Sequence, residues 1–186
     1  MSDFAPSYHE AGHAVAAQYF GLGMTHVSIR TAEDSLGRCT IQEGNRVDDF
    51  TAAVVMLAGH VAERMALGRE NVYPNWFLDD DHDMDSARIF IDRSCTNVLE
   101  GRQLAQLKAR ALMSTKWEAV STIAGELQRK TTLLGEDVER ICRELGVTNH
   151  GSKTITRAEA MAKLTPAGRR AVIGTIAADG KSIEKR

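Results

Sequence analysis

No stretch of this sequence stays apolar long enough to cross a membrane. The longest uninterrupted run, Ala52 to Gly59, falls far short of the ~20 residues a spanning helix needs. The N-terminus (MSDFAPSYHE) lacks the basic patch and apolar stretch of a secretory leader. Cysteine is scarce and widely spaced, with Cys39, Cys95 and Cys142 the only three, which argues against a disulfide framework and for reduced thiols in a cytoplasmic setting. A large net charge is missing as well, since 23 Lys and Arg face 25 Asp and Glu. What is present is 43% hydrophobic and 26% charged residues, a balance that excludes a largely disordered chain. The 186 residues suffice for one domain with a substantial core, because a ~150-residue domain buries roughly 70% of its unfolded surface. A soluble cytoplasmic domain is expected.

The near-neutral total hides an asymmetry. Residues 1–149 carry 15 basic and 22 acidic side chains, whereas residues 150–186 carry 8 basic and 3 acidic. Between them lies Gly146-Val147-Thr148-Asn149-His150-Gly151-Ser152, a loop-like run. The expected organisation is a main domain over 1–146 and a basic C-terminal extension over 147–186. Thr165-Pro166 forms a good N-cap and N1 pair, so the extension is expected to hold one or two short helices.

Along the main domain, Asp3 to Phe20 reads as a helix ended by Gly21 and Gly23. Its Ala11, Gly12, Ala14, Ala16 and Ala17 would let another backbone approach closely. Val27 and Ile29, then Cys39 and Ile41, alternate with polar residues around Glu33-Asp34-Ser35-Leu36-Gly37, predicting a β-hairpin. Asp48 and Asp49 open a helix to about Leu67, apolar nearly all round and so expected in the centre of the core. A polar loop from Arg69 to Asp81 follows. Further helices are predicted at about 82–99, 102–130 (with a break near Ser114) and 135–145.

Residues His9-Glu10-Ala11-Gly12-His13 spell HExxH. On a helix, histidines four apart project about 40° from one another and one turn along. Two imidazoles can then reach one Zn²⁺ at about 2.0–2.1 Å. Glu10 falls beside the metal, where it can take a proton from a zinc-bound water. With 6 His and 13 Glu in the chain, a shuffled sequence would show this pattern about 1% of the time. The competing structural explanation is a capping box, with Ser7 as N-cap and Glu10 three residues on.

Zinc needs a third protein ligand. The extended motif with a further glycine and histidine fails, because Ala16 and Tyr19 stand in those places. Glu33 lies in the hairpin turn. Glu63 sits on the core helix, where it is either a ligand or a charged residue at the helix edge. The run Asp79-Asp80-Asp81-His82-Asp83-Met84-Asp85 could present an acid from the first turn of a helix, or could simply cap it.

Taken together, these segments resemble the peptidase domain of the FtsH-type ATP-dependent zinc proteases. The resemblance rests on His9 to Ala14, on the hairpin Val27-Ser28-Ile29 to Leu36-Gly37-Arg38-Cys39-Thr40, and on Ala58-Gly59-His60-Val61-Ala62-Glu63-Arg64 with Gly68. It continues in Asp83-Met84-Asp85-Ser86-Ala87 and Thr132-Leu133-Leu134-Gly135-Glu136-Asp137-Val138. It implies a mainly α, helical zincin-like bundle with one small β-hairpin. It also implies zinc held by His9, His13 and Asp83, and Glu10 as general base. The sequence departs from the family pattern at His60, where an Arg is usual, and at His82, where an Asn is usual. Either histidine is an outer partner of the site or an ordinary polar side chain. HExxH starts at residue 9, so neither the family's membrane anchor nor its ATPase motor is expected. The Gly180-Lys181-Ser182 fragment lacks the first glycine of a phosphate-binding loop.

The implied activity is zinc-dependent hydrolysis of peptides or unfolded segments, with a separate ATPase or adaptor as a candidate partner. The hairpin edge is a candidate strand-addition site. The alternative is a catalytically silent, zinc-stabilised binding or regulatory module. The basic extension has no aromatic residue for base stacking, which disfavours nucleic acid as a partner.

Overall fold

A computed structural model describes residues 4–30, 38–41, 47–69, 76 and 81–147. Asp3 at the expected start of the first helix, the hairpin turn with Glu33, Asp79, Asp80 and the extension beyond Val147 lie outside the described residues.

Small side chains decide how the first helix packs. Helix α1 (Ala5–Tyr19) is buried along most of its length. It crosses α2 (Asp49–Ala66) so closely that a Cβ on Gly12 would stand 2.5 Å from the carbonyl oxygen of Ala58 and 2.7 Å from the Cβ of Ala62. Only glycine permits that approach. The capping box weighed against the metal reading does not form. Phe4 occupies the N-cap position, and the Ser7 hydroxyl lies inside the first turn, donating to the Phe4 carbonyl at 2.6 Å. Ser7 in turn accepts from the Gln128 amide at 2.9 Å, tying α1 to a later helix.

Helix α2 begins where Asp48 accepts from the Thr51 N–H at 2.9 Å and from its hydroxyl at 2.7 Å. This satisfies a donor that the first turn would otherwise leave orphaned. Apolar nearly all round, α2 packs against α1, α3 (His82–Ser94) and α4 (Val98–Thr115). Helices α5 (Trp117–Lys130) and α6 (Gly135–Glu144) complete the set among the described residues. The third helix therefore stops at Ser94 rather than 99, and the fourth starts at Val98 rather than 102. Cys95 turns extended, and Asn97 caps the new helix by accepting from the Glu100 N–H. The break expected near Ser114 falls at Lys116, which ends α4 and begins α5.

The hairpin pairs β1 (Met24–Ser28) with β2 (Arg38–Ile41) antiparallel, Val27 opposite Cys39. A third strand, β3 (Thr132–Leu134), was not expected. It pairs antiparallel with the other side of β1, Val27 opposite Leu133, giving the order β2-β1-β3. Thr131 enters it with φ of 60°, a left-handed turn that ends α5 and reverses the chain at once. A Cβ on Gly135 would come 1.8 Å from the Met24 carbonyl oxygen, so glycine is what lets α6 start against β1. The core runs through Val15, Val27, Leu57, Met84, Ile123 and Leu133, all 2% exposed or less. The fold is mainly α with one small antiparallel sheet. No helix among the described residues is long and apolar enough to cross a membrane.

Candidate metal centre

Helical spacing sets His9 and His13 one turn apart on α1, and their Nε2 atoms meet at 3.0 Å. The first turn of α3 brings Asp83 from across the fold, its Oδ2 lying 2.9 Å from both Nε2 atoms. His9, His13 and Asp83, which the sequence places up to 74 residues apart, thus present three donor atoms to one point. Glu63 does not join that point. It lies at the opposite side of the His9 ring, with Oε2 3.2 Å from Nδ1. His60 pairs with Asp81 at 3.0 Å, while His82 is exposed and makes none of these contacts.

The partners on the far side of each ring fix which nitrogen carries hydrogen. A backbone carbonyl only accepts, so His13 Nδ1–H donates to Val55 O at 2.9 Å. His9 Nδ1–H donates to the Glu63 carboxylate in the same way. In its neutral form, each imidazole held in this way keeps a lone pair on Nε2. Two such lone pairs at 3.0 Å, with a carboxylate oxygen beside them, repel unless positive charge stands among them.

The electrostatics express the same demand. Burial works against a charged His9, yet hydrogen bonds to Asp83 and then Glu63 outweigh it and push its pKa up to about 10. Burial likewise opposes an ionised Asp83, but the two imidazoles hold its carboxyl well below the usual range. A proton is the smallest cation that answers this demand, and a divalent metal answers it more fully. A tetrahedral zinc with 2.0–2.1 Å bonds separates its ligand atoms by about 3.3–3.4 Å. The observed triangle needs to open by only about 0.4 Å to accept one.

Two further residues belong to the centre. Glu10 is 7% exposed, and its Oε2 is buried without a hydrogen-bond partner. Such an orphan is costly unless something outside the polypeptide completes it. Burial raises its pKa above the ordinary glutamate value, against the attraction of His13 and His9. Gly59 on α2 is the second. A Cβ there would stand 2.4 Å from His13 Nε2, so the missing side chain is the space in which the imidazole sits. The sequence marks Gly59 only as part of a resembling segment, and the role of Val55, exercised through its carbonyl, has no sequence signal at all.

No protein-family model matches the chain. It is 27% identical, over 167 aligned residues, to the ATP-dependent zinc metalloprotease FtsH of Lachnoclostridium phytofermentans. That alignment covers 73% of this chain and 29% of the relative, so the chain spans under a third of that protein's length. The similarity is distant and points to an FtsH-related region.

Proposed function

We propose that this protein is a zinc-dependent metallopeptidase acting on peptides or unfolded segments, with His9, His13 and Asp83 as metal ligands and Glu10 as general base. The observation that carries the reading is the convergence of two imidazole Nε2 atoms and a carboxylate oxygen within 3.0 Å, beside the orphaned Glu10 oxygen. When bound, zinc supplies a Lewis acid that lowers the pKa of its water to about 7.

The chain's own residues do the rest. Glu63 and the Val55 carbonyl hold the two imidazoles in the tautomer that keeps Nε2 free to bind. Glu10, made more basic by burial, takes a proton from the attacking water and returns it to the leaving amine. Strand β2 has a partner on one side only among the described residues, and its other edge suits an extended peptide added as a strand. Clients are peptides, disordered segments, or chains delivered by a separate ATPase or adaptor. The distant FtsH relative supports the protease class.

The decisive comparison is wild type against Glu10→Gln, measured by zinc content and by hydrolysis of casein or a fluorogenic peptide. Wild-type hydrolysis is expected to disappear with a chelator and return with zinc, and Glu10→Gln should keep its metal and lose turnover. Wild type that binds zinc and cleaves nothing would instead favour a silent, zinc-stabilised module.

A further inference from the structure

Helix α2 contributes no ligand to the centre, yet it reaches every ligand. Val55 holds His13 through its carbonyl, and Glu63 holds His9 through its carboxylate. The third ligand is reached in two steps. His60 Nε2 lies 3.0 Å from Asp81 Oδ1, and that same oxygen accepts the N–H groups of Asp83 at 3.1 Å and Met84 at 3.0 Å. Asp81 is therefore both the cap of α3 and its tether to α2. The His60 ring also stands edge-on to His9, with centroids 5.0 Å apart and planes at 85°.

We propose that His60 is a positioning residue for Asp83: its Nε2–H donates to Asp81, pins the first turn of α3 onto α2, and so sets the ligand carboxylate against His9 and His13. This rests on the metal-centre reading above. Apolar packing of Met84, Ala87 and Ile91, all fully buried, keeps α3 folded against its neighbours with or without the tether. Packing of that kind tolerates small slides along the helix, whereas a metal ligand must sit within about 0.2 Å of its place. A directional hydrogen bond two residues before the ligand supplies what packing does not. Asp81 gives this histidine a defined partner.

The test is zinc affinity of the full chain, stripped of metal and measured by competition with a chromophoric chelator. His60→Ala should weaken zinc binding by about 10–100-fold, the range for losing an outer partner of a ligand. His60→Gln, whose amide nitrogen reaches about as far as Nε2, should recover most of that loss. Asp81→Ser keeps a cap for α3 but cannot reach His60, and should lose as much as His60→Ala. The double variant should be no worse than either single one, because both break the same link. His82→Ala should bind as wild type. Urea unfolding of the metal-free His60→Ala and His60→Gln variants should match wild type closely, separating positioning from folding. Undiminished affinity in His60→Ala, failure of Gln to rescue, or additive losses would overturn the proposal. Wild type that binds no zinc would overturn the metal reading and this proposal together.

Discussion

Replacing Gly59 by alanine separates the metal centre from the fold that carries it. The new Cβ would lie 2.4 Å from His13 Nε2 and 2.8 Å from both Cδ2 and Cε1, where an ordinary contact starts at 3.4 Å. The ring must retreat by about 1 Å, five times the roughly 0.2 Å tolerance of a metal–ligand distance. Overpacking of this kind costs about 1–3 kcal/mol. Alanine in a helix interior recovers about 1 kcal/mol relative to glycine. The metal-free protein should thus lose between about 0 and 2 kcal/mol, measured by urea unfolding. Zinc affinity should fall by more than roughly 100-fold, beyond the loss expected for an outer partner alone, because the proposed ligand His13 is itself displaced. Gly125 on α5 is the control: nothing lies within 4 Å of a Cβ built there. Gly125→Ala should stabilise the chain by up to about 1 kcal/mol without touching metal binding. Wild-type zinc affinity in Gly59→Ala would refute the placement of His13 in the centre.

Two further outcomes follow from the same structure. Asp48→Ala removes the cap of α2 and should cost about 1 kcal/mol at neutral pH. Burial works against the ionised Asp48, but the hydrogen bonds from Thr51 prevail and hold its pKa below the ordinary 3.8. Its contribution is therefore present above that value and lost as pH falls through the lower folded pKa. The gap between wild type and variant in urea unfolding should narrow below about pH 3.8, and a gap that widens there would contradict the assignment. Zinc, finally, should raise the thermal midpoint of chelator-treated protein. At a free concentration 100 times the dissociation constant the gain is about 2.7 kcal/mol, or roughly 5–10 °C for a chain of this size. His13→Ala should abolish the shift.

Much of the helical framework was legible because its signals are local. Asp48 before an apolar run marked the start of α2, and the pairing of HExxH on one helical face needed only the period of 3.6. Boundaries set by competing caps were less legible. Asn97 starts α4 four residues before the expected place, and Ser7 proved to be inside α1 because its hydroxyl found the Phe4 carbonyl. Strand β3 was missed because three residues between two helices carry too little periodicity to read. It exists because β1 offers an open edge to a segment 104 residues away in sequence, Ser28 opposite Thr132.

What the sequence determined alone is the local chemistry: two imidazoles and a carboxylate within five residues, on a helix of small side chains. Asp83 came from a resemblance, with Glu63 left open beside it. Tertiary structure places them differently, setting Asp83 against both Nε2 atoms and Glu63 behind the His9 ring. The reason is physical. Helix periodicity fixes neighbours one turn apart, but which face of α3 meets α1 depends on α2 between them. The roles of Gly59 as empty space and of Val55 as a carbonyl acceptor are properties of that packing, and no residue type announces them.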